Sequence, residues 1–191
     1  MKYRSSQTNR TMKKCLLILF TLINFPVYCN GQTVKNTSYK TSSGEKVLRL
    51  ELTLPIDKKA AWKLFTVDKE LQKWIAPVVF VELKTGGYML TNYDKNQSLR
   101  DSSTIELGII NYLENELITL KVNLNDNFPA SIQKEDENLQ ELIQFVEIEK
   151  GKTKIISSMI GWGKGSDWDK TYDFFVKGNI WTYEELGKLF K

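Results

Sequence analysis

Regular alternation of apolar and polar residues begins at Leu48. Leucine occupies every second position from there to Leu54, and this period of two predicts a β-strand with one face in the core. Pro55 ends the strand, and Asp57 is suited to cap a helix that follows. Asp68 is placed to cap a second, short helix that ends before Pro77.

The middle of the chain keeps the same strand-like period. Turn residues interrupt it at regular intervals, which is typical of antiparallel hairpins. Polar residues 123–138 separate the second hairpin from the third, and we interpret them as a loop. The predicted hairpins join residues 77–83 to 88–93, 103–110 to 117–122, and 139–149 to 154–160.

The C-terminal segment changes to a helical period. Ser166 and Asp169 match a capping box, and the apolar residues that follow form one stripe at 100° per residue. Asn179 lies in the middle of this stripe, while Phe174 and Trp181 lie roughly opposite it. The stripe, which we predict to face the sheet, contains Tyr172, Phe175, Val176, Tyr183, Leu186 and Phe190.

A basic and then apolar leader precedes all of these elements. The first 14 residues contain five Lys and Arg and no acid, and residues 15–29 are mostly apolar. This composition is typical of a secretory signal peptide. Pro26 and polar residues interrupt the apolar segment, which is therefore shorter than the ~20 apolar residues that a membrane-spanning helix needs. We predict that the leader is cleaved and that the mature chain, which begins near Gln32, is secreted or periplasmic without stable membrane insertion. The alternatives are that the leader is retained as a membrane anchor or forms a buried N-terminal helix. Initiation at Met1 or at Met12 fits equally well.

Loss of the leader changes the charge and the available chemistry. The remaining chain has 22 Lys and Arg against 23 Asp and Glu, so its net charge is about −1 and no basic field indicates a nucleic-acid partner. Both cysteines lie in the leader, and the chain has no histidine. Thiol nucleophiles, Cys/His zinc sites and His-based triads are therefore excluded from the mature chain. We predict no catalytic residue, no cofactor and no metal.

A glycine-rich segment, residues 161–168, precedes the C-terminal helix. Helix N-termini can bind anions, but Gly165 separates the Gly-Lys pair from the following serine, so the segment does not match a P-loop. We interpret it as a flexible turn. The nearby Asp167, Asp169 and Asp173 lack the spacing of an EF-hand, and we expect them to be solvated.

Four segments together resemble the SRPBCC superfamily (START-like, helix-grip). They are AAWKLFTVDKELQKW at 60–74, Gly86-Gly87 before an aromatic strand, GIINYLENELITLKV at 108–122, and IWTYEELGKLF at 180–190. The branch that these segments resemble most is that of the homologues of the activator of heat-shock-protein-90 ATPase. Most members of that branch are cytosolic, so the chaperone role is not carried over to a chain with an export signal.

The resemblance implies an α+β helix-grip fold, with an apolar cavity between sheet and helix. A curved antiparallel sheet of about six to seven strands would wrap around the long C-terminal helix. We divide the chain into signal peptide (1–31), flexible arm (32–46) and START-like domain (47–191). The candidate pocket-lining residues are Trp62, Phe65, Trp74, Tyr88, Met159, Tyr172, Phe175, Asn179 and Tyr183.

Three functions are compatible with these observations. The first is a non-catalytic domain that binds a small hydrophobic molecule in the cavity. The second is an acid–base enzyme of the cyclase or dehydratase kind, which would need a carboxylate with a raised pKa inside the cavity. We predict instead that the carboxylates lie outside the inner stripe. The third is a protein-interaction domain with a collapsed pocket and a protein partner.

Overall fold

The computed structural model describes residues 32–191. The predicted leader lies outside the described residues. Within them the chain forms nine strands, four α-helices and one 3₁₀ turn. In chain order these are β1 (Lys35–Asn36), β2 (Tyr39–Lys40), β3 (Lys46–Leu54), α1 (Lys58–Thr66), α2 (Asp68–Leu71), β4 (Val78–Val81), β5 (Tyr88–Asn92), β6 (Ile105–Leu113), β7 (Leu117–Val122), α3 (Ala130–Gln133), the 3₁₀ turn (Asp136–Asn138), β8 (Gln140–Glu149), β9 (Lys152–Ile160) and α4 (Ser166–Lys188).

One antiparallel sheet contains all of these strands. Its order is β1-β3-β9-β8-β7-β6-β5-β4, and β2 also pairs with β3. The pairing register shifts between Ile109 and Asn111 in β6 and between Glu147 and Glu149 in β8. Such irregularities bend a strand and increase its twist, and the sheet is curved. The predicted α+β architecture, with a curved sheet and a long C-terminal helix, is therefore confirmed.

The N-terminal segment differs from the flexible arm that we expected. Two short strands within it, β1 and β2, pair with β3, and Val34 packs against the core. Backbone hydrogen bonds to an edge strand do not require apolar side chains, so the polar sequence gave no signal of this pairing. These two strands account for the difference between nine strands and the six to seven predicted.

The first two helices differ in how they begin. The Asp57 side chain accepts a hydrogen bond from the backbone N–H of Ala60 at 2.8 Å, as predicted for a helix cap. The prediction that Asp68 caps α2 is wrong, because its Oδ1 accepts from the backbone N–H of Val81 at 2.9 Å instead. Asp68 thereby ties the short helix to β4.

Helix α4 has the predicted register along the sheet. Tyr183 and Leu186 are buried, whereas Phe174 and Trp181 are 60% and 52% exposed. The predicted capping box at its start is wrong: Gly165 is the N-cap residue without a side-chain bond, and the Asp169 carboxylate pairs with Lys46. An ion pair between residues that are distant in the sequence has replaced the local contact.

A single hydrophobic core joins the inner face of the sheet to α1 and α4. The loop predicted at residues 123–138 contains α3 and the 3₁₀ turn, so it is more ordered than its polar composition suggests. Among residues 32–191, no helix is long and apolar enough to span a membrane.

Candidate ligand-binding cavity

A cavity of about 290 Å³ lies between α4 and the inner face of the sheet. The chain that follows α2 closes one side, where the Trp74 indole N–H donates to the Leu64 carbonyl at 2.9 Å and is thereby held in place. The walls are mainly apolar and are formed by Phe65, Leu71, Trp74, Ile75, Met89, Thr91, Tyr93, Ile105, Leu107, Leu120, Val122, Glu141, Ile143, Met159, Phe174, Phe175, Gly178, Asn179, Trp181, Thr182 and Tyr183.

Exposed aromatic residues mark where the cavity reaches the surface. Phe174 and Trp181 belong to its wall although more than half of each side chain is exposed. Tyr93 stands beside them, half exposed, and partial burial raises its pKa, an effect that the Thr182 hydroxyl opposes. The rim is therefore formed by α4 and by the end of β5.

Gly178 leaves open space in the middle of α4. A Cβ atom at this position would have no heavy atom within 4 Å, and the residue belongs to the cavity wall. Glycine inside a helix destabilises the helix by about 1 kcal/mol relative to alanine, so Gly178 does not contribute to the stability of α4. The missing side chain instead enlarges the cavity.

The carboxyl group of Glu141 is the acid of the cavity wall. Glu141 belongs to β8, two residues before the buried Ile143, so strand geometry directs both side chains to the inner face. Its Oε1 accepts hydrogen bonds from Ser157 Oγ at 2.6 Å and from the Tyr183 hydroxyl at 3.2 Å. Ser157 is completely buried and Tyr183 nearly so. Two hydroxyl donors thus fix one oxygen of this carboxyl group.

Burial changes the ionisation of this cluster. Glu141 keeps some accessible surface, but that surface belongs to the cavity wall rather than to bulk solvent. Burial therefore raises the pKa of Glu141, although the hydrogen bonds from Ser157 and Tyr183 act in the opposite direction. Burial also raises the pKa of Tyr183 well above its ordinary value, and the Glu141 charge adds to the rise. Both effects favour the uncharged forms.

A second polar group lies near Glu141. Met159 stands directly opposite Glu141 in the β8–β9 ladder, and the Asn179 side-chain nitrogen is 3.1 Å from its sulfur. A thioether is a weak acceptor, so this contact satisfies the amide only poorly. Asn179 is part of the cavity wall, and its amide is available to a bound molecule.

Comparison with known proteins shows similarity at the level of structure. No protein-family model matches the sequence, and no curated protein matches it. The Aha1 dimer of Colwellia psychrerythraea has a TM-score of 0.52 at 12% identity, covering 74% of this chain and 98% of that one. CalU16 from Micromonospora echinospora has a TM-score of 0.58 at 11% identity, covering 85% and 77%. Protein MLL2253 from Mesorhizobium loti has a TM-score of 0.58 at 13% identity, covering 75% and 95%.

The fold is the helix-grip fold. The predicted resemblance to the START-like and Aha1-like proteins is confirmed as a likeness of fold, with the sheet and α4 in the expected arrangement. Identities of 11–13% show the fold alone, so no activity follows from them.

Six of the nine predicted pocket residues lie on the wall of the helix-grip cavity. They come from four parts of the chain that the fold brings together: α1, the segment after α2, β9 and α4. The six are Phe65, Trp74, Met159, Phe175, Asn179 and Tyr183.

The other three predicted residues lie elsewhere. Trp62 is buried between α1 and β8, where its ring packs 5.3 Å from the ring of Phe145. Tyr88 precedes the buried Met89 in β5 and therefore points to the opposite, outer face of the sheet, where it lies beside Phe80. Tyr172 packs edge-on against Trp162, at the beginning of α4. None of the three contributes to the wall.

The prediction that the carboxylates lie outside the inner face is wrong for Glu141. Strand alternation puts Glu141 on the same face as Ile143 and Phe145, but the opposite face of β8 has Leu142, Val146 and Ile148, so the sequence alone did not show which face is buried. Thr91 and Gly178 also escaped sequence reasoning, since neither is apolar or aromatic, and both line the cavity.

Proposed function

We propose that the protein binds a small hydrophobic molecule in the helix-grip cavity and does not transform it. The observation that carries this proposal is the apolar cavity of about 290 Å³, which is close to the lower end of ligand pockets, about 300 Å³. A collapsed pocket would have favoured a pure interaction domain. The open cavity supports a ligand, although a protein partner on another surface stays compatible with it.

Substitution at Gly178 tests the proposal. We expect Gly178→Leu to fill part of the cavity and to reduce uptake of naphthalene at least tenfold, measured by isothermal calorimetry. The matched control is Gly178→Ala, which adds one methyl group and should retain binding. Both variants should unfold at an equal or higher denaturant concentration than wild type, because each replaces a helix-interior glycine. Unchanged uptake by a well-folded Gly178→Leu protein would contradict binding in this cavity.

A second candidate function is acid–base catalysis, which Glu141 specifically favours. A carboxyl group with a raised pKa inside an apolar cavity suits a general acid, and the adjacent Tyr183 hydroxyl could orient a substrate. Native mass spectrometry of protein purified from its own cells separates the two functions. If the molecule that co-purifies with wild type differs in mass from the molecule that co-purifies with Glu141→Gln, catalysis is favoured. An unchanged ligand in both proteins supports binding alone.

We also propose that the protein is exported after cleavage near Gln32. The basic and apolar composition of residues 1–31 supports this. Intact-mass measurement of the exported protein should give a chain that begins near Gln32. A full-length mass in the soluble fraction would contradict cleavage, and a lipidated mass would indicate an anchor on Cys29.

A further inference from the structure

The two oxygens of Glu141 have different surroundings. Oε1 accepts both hydroxyl donors, from Ser157 and Tyr183. Within residues 32–191, Oε2 has no hydrogen-bond partner, yet it is not among the fully buried atoms that lack one. Oε2 therefore keeps accessible surface, and the residue that carries it belongs to the cavity wall. A bound molecule would meet Oε2 rather than Oε1.

Among residues 32–191, the cavity wall contains no basic residue. Its other ionisable groups are the phenols of Tyr93 at the rim and Tyr183 beside Glu141. No ammonium or guanidinium group therefore compensates a negative charge on Glu141 or on a bound molecule. The uncharged carboxyl is favoured because ionisation in an apolar wall is costly. With Oε1 occupied as a double acceptor, its proton belongs on Oε2, which then donates into the cavity.

The amide of Asn179 strengthens this donor character. Its side-chain N–H group has only the sulfur of Met159 as a protein acceptor, at 3.1 Å. Met159 is the cross-strand neighbour of Glu141, so the amide and the carboxyl stand near each other. Two donors without a strong acceptor, in a mainly apolar wall, suit a single oxygen atom with two lone pairs.

We infer that the cavity selects uncharged hydrophobic molecules that carry a carbonyl oxygen, held by Oε2–H of Glu141 and assisted by Asn179. The inference rests on the proposed function and adds the chemical class of the ligand. Carboxylate-bearing molecules such as fatty acids are disfavoured, because the wall offers them no positive charge. Apolar molecules without oxygen bind through their surface alone, and therefore more weakly.

Four two-ring probes test this selectivity by calorimetry at pH 6: naphthalene, 2-acetylnaphthalene, 2-naphthoate and 2-(aminomethyl)naphthalene. We expect the ketone to bind roughly two- to tenfold more tightly than naphthalene, the range that one hydrogen bond supplies. Naphthoate should bind more weakly than naphthalene. Tightest binding by the amine would overturn the inference, since Glu141 would then act as an ionised partner for a cation.

Two variants identify the donor. Glu141→Gln can place an N–H group where Oε2 stands and should keep the preference for the ketone. Glu141→Leu should lose the preference while naphthalene still binds. If Glu141→Leu does not fold, titration of wild type gives the same information. Its ketone preference should decline as the pH rises and Glu141 ionises, whereas that of Glu141→Gln should not.

The outcomes separate the two proposals. If none of the four probes binds wild type, binding in the cavity fails, and the ligand class fails with it. If naphthalene and the ketone bind equally well at pH 6, the cavity function stands and the carbonyl selectivity is wrong. A ketone preference that Glu141→Leu retains would also overturn the assignment to Glu141.

Discussion

Replacement of Glu141 by glutamine should make the protein's stability less dependent on pH. The pKa of this group is raised in the folded state, whereas the unfolded chain titrates near the ordinary value of 4.5. Between these two pKa values the native state binds more protons than the unfolded state, so stability falls as the pH rises. Below about pH 4.5 both states hold the proton and Glu141 has no effect on the pH dependence.

The expected magnitude follows from one proton. Within the window above pH 4.5, the unfolding free energy of wild type should fall relative to that of Glu141→Gln, with a slope of at most about 1.4 kcal/mol per pH unit. Above the folded-state pKa the difference should become constant. Glutamine keeps an acceptor for Ser157 and Tyr183, and its amide nitrogen faces the cavity in place of Oε2. A constant offset between the proteins is therefore possible, but it does not change the slope.

Urea unfolding followed by circular dichroism, at intervals from pH 4 to pH 8.5, measures this difference. Glu147→Gln is the matched control, because Glu147 belongs to the same strand and its side chain is exposed. The carboxyl groups that all three proteins share contribute equally to the pH dependence of stability, so their contributions cancel in the comparison. If the difference in unfolding free energy between wild type and Glu141→Gln does not change with pH, the raised pKa of Glu141 is refuted. A difference of opposite slope would show that the two hydroxyl donors stabilise the anion.

Four further substitutions test packing, hydrogen bonding and backbone conformation by denaturant unfolding without ligand. Phe175→Ala should destabilise by about 1–2 kcal/mol, because Phe175 lines an existing cavity; a loss of about 3–5 kcal/mol would indicate a solid core. Tyr183→Phe removes the bond to Glu141 and should lose about 1 kcal/mol, whereas Asn179→Leu should lose less, since only a sulfur accepts from Asn179; the reverse order would contradict these contacts. Gly161→Ala should fold poorly, because its φ is +83° and a Cβ would stand 1.8 Å from the Asn138 carbonyl oxygen; near-normal stability would be incompatible with this turn.

Periodicity predicted the fold because it reports which face of an element is buried. The leucines of β3 and the stripe of α4 that contains Tyr183 both follow the period of their element. Even the less obvious part of that prediction, Tyr183 buried and Trp181 exposed, agrees with their burial, and Trp181 reaches the cavity only at its rim. Such patterns depend on neighbours within one element, and a single sequence contains all of that information.

Capping predictions failed where a distant group competed for the same side chain. Asp169 fits a capping box by its spacing from Ser166, but its carboxylate pairs with Lys46, which is 123 positions away. Asp68 likewise bonds to the backbone of β4 rather than to its own helix. Asp57 has no such competitor among its hydrogen bonds, and it forms the predicted cap. Local spacing identifies what a side chain can do, and tertiary packing decides which contact it makes.

The candidate site shows the same division between local pattern and tertiary contact. Aromatic residue type suggested Tyr88 as a cavity residue, although the alternation within β5 gives the inner face to Met89 and Thr91. We expected the carboxylates to lie outside the inner stripe, but Glu141 lies on the same face of β8 as the buried Ile143. In both strands the alternation shows which residues share a face, because side-chain direction follows from backbone geometry whatever the residue type. It does not show which face is inner, since the opposite face is also apolar, with Leu90 in β5 and Leu142 and Val146 in β8. The sequence therefore did not show that the Glu141 carboxyl lies inside. Nor did it show that the carboxyl lies beside Ser157 and Tyr183, which are 16 and 42 positions further along the chain and approach it only in the folded sheet and helix.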